Sequence, residues 1–170
     1  EREKVKKREV ALAFKLNEKN ELEETEGTAH IGAFSFLPLK EEKEIGLKFN
    51  LQADFLTAPG REVITRETKW NQWLTREVYN LIIEDCISLF KKHEKWKFNF
   101  SKVLYPGTFG HLLFDEFLKK PLRDYLANNP VLIAEDESFI KPKDAILIGS
   151  EIRDLLSDED SKIIYPDKKI

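Results

Sequence analysis

The 170-residue sequence has no methionine and one cysteine, Cys86. A lone thiol cannot close an internal disulfide or build a cysteine-based metal site. No apolar run approaches the roughly 18 residues that a membrane helix needs, so none is expected. No basic-then-apolar segment of signal type opens the chain. The glycines number only seven and are scattered. Neither Gly-x4-Gly-Lys-Ser/Thr nor Gly-x-Gly-x-x-Gly occurs, so no phosphate-cradling loop is expected within this chain. The three histidines, His30, His93 and His111, show neither His-x3-His nor His-Glu-x-x-His spacing. No metal site is expected from them. Charge of one sign is lacking too: 28 bases against 31 acids leave a net charge of −3. That argues against a strongly basic nucleic-acid module, though a local patch stays open.

What is present is a hydrophobic set of 41% and a charged set of 35%. Such a chain can bury a core and is not disordered. Its length fits one domain, or one domain with a small appendage. The composition points to a soluble cytoplasmic α/β domain. The start at Glu1 and the missing methionine are read as a piece of a longer protein.

Strands are expected over Val10–Leu16, Thr28–Leu37 and Leu47–Phe55. In the last, Leu47, Phe49, Leu51, Ala53 and Phe55 alternate with Lys48, Asn50, Gln52 and Asp54. Strict alternation predicts a strand covered on one side. The corner Ala58-Pro59-Gly60-Arg61 follows, with residues suited to a type II turn. Thr68 to about His93 is expected to be a long helix, capped by Thr65 or Thr68. Its apolar face is read as Trp70, Trp73, Leu74, Val78 or Tyr79, Leu81, Ile82, Cys86, Leu89 and Phe90. Trp96–Tyr105 reads as a short aromatic strand. A second helix capped by Thr108 runs through Leu118, and Pro121 kinks it or starts a new turn. Short strands are expected at Val131–Ala134, Phe139–Ile140, Ala145–Ile148 and Ile163–Tyr165, with a short helix at Ser150. A composition shift near Lys92–Lys97 suggests two sub-domains, 1–95 and 96–170.

Arg61 is the foremost candidate site residue. A guanidinium presented by a turn just past a strand end can make two parallel bonds to a phosphate and cannot lose its proton. The competing reading is a surface ion pair with Glu62, Asp54 or Glu67. Trp70 and Trp73 share a helix face and read as packing rather than as a base-stacking platform. Cys86 reads as core. Asp115-Glu116 and Asp158-Glu159-Asp160 read as solvated acids.

Several segments taken together resemble a known family. These are Phe34-Ser35-Phe36-Leu37-Pro38, the strand ending Ala53-Asp54-Phe55, the turn before Arg61, Trp70-Asn71, Pro130-Val131-Leu132-Ile133 and the run Phe139 to Ala145. The chain from about Val10 to Ile148 resembles the region that follows the ATP-binding domain in sacsin-type proteins of the gyrase, chaperone and histidine-kinase (GHKL) class. The loop also resembles the catalytic loop in the middle domain of the ninety-kilodalton heat-shock chaperones. There an arginine-glutamate pair follows a strand and turn, and the arginine reaches the ATP γ-phosphate on another domain. Carried over by position, these are Arg61 and Glu62. The chaperones have asparagine three places before the arginine, where this sequence has Ala58.

The resemblance implies a two-layer α/β sandwich of transducer type, like a ribosomal-protein domain, followed by a small α/β sub-domain. It implies a role in sensing the γ-phosphate through Arg61 and relaying closure of the ATP-binding domain. ATP and magnesium would be bound by that domain, outside this chain, and the fragment alone would be inactive. The implied partners are the upstream ATP-binding domain and, in a homodimer, a second copy. The rival reading is a protein- or nucleic-acid-binding module of a defence or restriction system, resting on Lys91, Lys92, Lys95, Lys97 and Lys102. A purely structural spacer is a third.

Overall fold

A computed structural model describes residues 8–24, 32–35, 37–39, 45–60, 63–107, 109–147 and 164–165. They form a mixed α/β fold. Strands β1 (Val10–Ala13), β2 (Ala33–Ser35), β3 (Leu37–Pro38) and β4 (Asn50–Ala53) make one sheet in the order β1-β4-β2-β3. Leu51 of β4 lies opposite Leu12 of antiparallel β1 and Ala33 of parallel β2. The expected alternation around β4 is seen. Leu47, Phe49, Leu51, Ala53 and Phe55 are buried, whereas Gln52 is exposed.

The strand expected over Thr28–Leu37 is instead two short ones. β2 folds back on β3, pairing Phe34 with Pro38 and Ser35 with Leu37. Pro38 has no N–H to give a neighbour, which suits β3's place at the sheet edge. Residues 28–31 and Phe36 lie outside the described residues.

The long helix forms as expected but with a defect. α1 (Lys69–Leu81) runs into a π turn (Ile82–Cys86) and on into α2 (Ile87–Lys92). Thr68 is the N-cap, its Oγ1 accepting from Asn71 N at 3.3 Å. The buried face is Asn71, Leu74, Thr75, Val78 and Ile82, then Ile87 and Phe90. The π turn inserts one residue and so rotates the later face by about 100°. Ile87 therefore succeeds Ile82 in the core, while Leu89, expected inside, is 57% exposed.

Trp96–Tyr105 is not a strand. It forms a 3-10 turn (Trp96–Phe98) and a short helix α3 (Phe100–Leu104). The alternation of Lys97, Phe98, Asn99 and Phe100 suggests period two, but Phe100, Val103 and Leu104 are buried together at helical spacing.

The next helix starts at α4 (Leu112–Phe114), passes through a second π turn (Asp115–Lys119) and ends in α5 (Lys120–Asn128). Its cap is His111, whose side chain accepts from Phe114 N. Thr108, the expected cap, lies outside the described residues. Pro121 is the second residue of α5 and directly follows the π turn, so it lies within the continuous 112–128 helix, where it removes one N–H.

β5 (Leu132–Ile133) and β6 (Phe139–Ile140) form the expected hairpin. A 3-10 turn (Pro142–Asp144) leads to β7 (Ile146–Leu147), which pairs parallel with β8 (Ile164–Tyr165). The helix expected at Ser150 and the acids 158–160 lie outside the described residues. One hydrophobic cluster takes side chains from Leu22 to Val131. Across the expected junction, the rings of Phe90 and Phe100 are 6.1 Å apart, and those of Phe55 and Phe114 are 5.9 Å apart.

Candidate functional site: a hairpin fastened to helix α1

Beyond β4 the chain enters a hairpin. Thr57 and Ile64 face each other as an antiparallel bridge. Ala58 N donates to Val63 O at 3.0 Å, and Thr65 N donates to Leu56 O at 2.8 Å. Pro59 and Gly60 form part of the turn. Arg61 and Glu62, the expected site residues, fall in sequence between Gly60 and Val63 and lie outside the described residues.

Both legs of the hairpin are tied to the start of α1. Asn71 is 0% exposed. Its Nδ2 donates to Leu56 O at 2.8 Å and to Thr65 O at 2.7 Å, and its Oδ1 accepts from Leu56 N at 2.8 Å. Both donors and the acceptor of one amide are thus used, as burial requires. Thr68 Oγ1 also donates to Thr65 O, at 3.2 Å. Trp70 donates its indole N–H to Asp54 O at 2.8 Å, fixing the strand end just upstream. Thr75 Oγ1 donates to Asn71 O at 2.8 Å.

Asn71 has no role in the reading made from residue patterns, although Trp70-Asn71 is among the segments that carry the resemblance. A signal existed. Positions 71, 74, 75, 78 and 82 trace one helical face, and an asparagine on an otherwise core-facing stripe needs a partner for every polar atom. Trp70 does pack as expected. Its ring lies 5.2 Å from that of Trp73, tilted by 52°, and 5.5 Å from the Arg8 guanidinium. Trp73 is 42% exposed.

A second polar cluster corrects the reading of Asp115 as a solvated acid. Asp115 is buried and pairs with Lys119, which is 1% exposed. Asp115 Oδ2 accepts from Gly110 N at 2.7 Å. The Phe109 ring lies 5.0 Å from both Lys119 Nζ and the Arg123 guanidinium. The cluster holds the loop before α4. An i,i+4 pair on a helix normally faces water, so spacing alone gives no hint of its burial.

Three of the five lysines of the rival reading make local contacts, while Lys92 and Lys95 are exposed. Lys91 Nζ sits 4.8 Å from the Phe139 ring, and burial lowers its pKa. Lys95 Nζ donates to Lys19 O at 2.7 Å, and Lys97 pairs with Glu137 at 2.8 Å. Burial also lowers the pKa of Lys102; Lys48 pushes the same way and Glu24 opposes. A phosphate-binding stripe needs cations turned to water.

His93 stacks on Trp96 with centroids 3.8 Å apart, and its Nδ1 accepts from Lys95 N and Trp96 N, each at 3.3 Å. Cys86 is half-buried in an apolar groove of about 330 Å³ beside Leu12, Phe14 and Leu89. Burial, with Asp85 adding to it, pushes its thiol up to about 11, which opposes a nucleophilic role. Among the described residues, no group of three or more His, Cys, Asp and Glu side chains could hold a metal ion. No helix among them is long and apolar enough to cross a membrane.

Comparison with known proteins adds one partial likeness. A 51-residue stretch, 30% of this chain, is 41% identical to Protein NO VEIN of Arabidopsis thaliana. The match spans 2% of the length of that curated relative. No protein-family model and no solved structure matches the chain.

Proposed function

We propose that this chain is the middle, transducer-type part of a larger cytoplasmic GHKL-type ATP-binding protein of the sacsin or chaperone kind. In this reading Arg61, with Glu62 beside it, meets the γ-phosphate of ATP held by an upstream domain, and closure of that domain is relayed into the rest of the chain. ATP and magnesium belong to the upstream domain, and this chain contributes a cation to it.

The observation that carries the reading is the Asn71 clamp. A cation that stabilises charge on a transferring phosphoryl group acts only if it is held in place beforehand. Leu56 and Thr65, on the two legs of the hairpin, are both bonded to one buried side chain. The sequence resemblance around Ala53-Asp54-Phe55 and Trp70-Asn71 supports the same reading.

The test is ATP turnover by the full-length protein carrying Arg61→Ala. A fall of about a hundredfold or more, with nucleotide affinity nearly unchanged, is expected for a transition-state contact. Wild-type turnover would remove Arg61 from the mechanism.

A further inference from the structure

We infer that Asn71 is a positioning residue that joins the 57–64 hairpin and helix α1 into one mechanical unit, so that a push on the hairpin is felt by the helix. The inference rests on the reading of Arg61 given above and adds to it the route by which contact is passed on.

A hairpin that only continues from a strand can hinge where the strand ends. Here that hinge is blocked. Asp54 O is held by the Trp70 indole, and Leu56 is held through both its N–H and its C=O by Asn71. The returning leg is held at Thr65 O by the same amide and by Thr68 Oγ1. Asn71 is itself fixed within α1, its backbone N–H bonded to Thr68 Oγ1 and its C=O to Thr75 Oγ1. Displacing the hairpin from α1 therefore means breaking three short, part-buried bonds together. α1 carries Leu74, Val78 and Ile82 into the core and packs against α4 and the second π turn. A displacement that reaches Asn71 is thereby delivered to the helical half of the fold, as a coupled element requires.

The experiment is a double-mutant cycle in the full-length protein with ATP as the probe, comparing wild type, Arg61→Ala, Asn71→Ala and the pair. Asn71→Ala is expected to lower kcat by about tenfold or more with little change in ATP affinity, since misplacing a group costs rate rather than binding. The pair is expected to be no slower than Arg61→Ala alone, because Asn71 acts through Arg61. Amide exchange over residues 54–65 is expected to quicken in Asn71→Ala, while that of residues 74–82 holds.

Multiplying losses in the pair would overturn the inference, because damage to the fold at large behaves that way. Wild-type turnover in Asn71→Ala beside an impaired Arg61→Ala would overturn it and leave the Arg61 reading intact. Wild-type turnover in Arg61→Ala would end the Arg61 reading and the relay with it, and the exchange result would then decide only whether Asn71 holds the hairpin. If Asn71→Ala does not fold, Asn71→Ser, which keeps one donor and one acceptor, replaces it with the same outcomes.

Discussion

Arg8 holds Asp54: its Nη1 lies 3.1 Å from Asp54 Oδ2, and its guanidinium also lies 5.5 Å from the Trp70 ring. Asp54 is one of three carboxylates near enough in sequence to hold Arg61 locally. With Oδ2 given to Arg8 and the backbone carbonyl to the Trp70 indole, Asp54 is already part of the brace under the hairpin. Both members of the ion pair are partly exposed, so its contribution to stability is modest, about 1 kcal/mol or less.

The Asn71 clamp makes a stability difference that can be measured apart from any activity. Asn71→Ala removes the acceptor for Leu56 N, leaving a part-buried N–H unpaired, which costs about 1–3 kcal/mol. The two carbonyls lose less, because Leu56 O still receives Thr65 N and Thr65 O still receives Thr68 Oγ1. Thr68→Ala removes the helix cap and should cost about 1 kcal/mol. Urea unfolding should rank Asn71→Ala below Thr68→Ala in midpoint. The reverse order would mean that the amide bonds contribute little.

Much of this framework could be read from residue patterns. The alternation around Leu51 marks a strand with one covered face, because side chains there have period two and only one face meets the core. The Thr68–His93 helix was equally legible from its cap and its three-and-four spacing. The face of its second half was not. A π turn at Ile82–Cys86 depends on packing that no local pattern encodes, and it exchanges Leu89 for Ile87 in the core. Asn71 escaped for a related reason. Its partners Leu56 and Thr65 are 15 and 6 residues away in sequence, and backbone groups carry no residue-type signature. The segment Trp96–Tyr105 misled because its aromatic residues alternate with polar ones over too few positions to separate the two periods.

The buried pair Asp115–Lys119 should respond asymmetrically to substitution. Lys119→Met leaves Asp115 without its cation in a dry site, and Asp115→Leu leaves Lys119 without its anion. Breaking such a pair from one side costs about 3–5 kcal/mol, whereas replacing both members by apolar residues of similar size can be near neutral. The double replacement still loses the Asp115 bond to Gly110 N, so it should fall between wild type and either single variant. Thermal unfolding of the three variants gives the order. A double variant worse than both singles would show that Asp115 matters chiefly for the Gly110 loop.

The lysine contacts bear on the rival, nucleic-acid reading. Lys97 is paired with Glu137 and Lys91 lies half-buried over Phe139, which leaves Lys92 and Lys95 as the exposed cations of the stripe. A net charge of −3 adds no general attraction. Titration with duplex or single-stranded DNA at about 50 mM salt, where phosphate contacts are strongest, should show no saturable binding. Binding that weakens steeply with salt, and that is lost in Lys92→Glu or Lys95→Glu, would bring that reading forward.

Cys86 gives a prediction in pH. Its thiol is pushed from an ordinary value of 9.0 to about 11, first by burial and then by the Asp85 carboxylate. The folded chain therefore keeps a proton that the unfolded chain gives up, so stability falls as pH rises from about 9 towards 11. Below that window both states hold the proton and the thiol adds no pH dependence. The nucleophile is the thiolate, so alkylation of the folded protein at pH 9 should be about tenfold or more slower than that of the urea-unfolded chain. Cys86→Ala should flatten the part of the pH–stability curve between 9 and 11 that the thiol supplies. Equal alkylation rates in folded and unfolded protein would show that the groove beside Leu12 and Phe14 admits water freely, and that the thiol titrates as it would in solution.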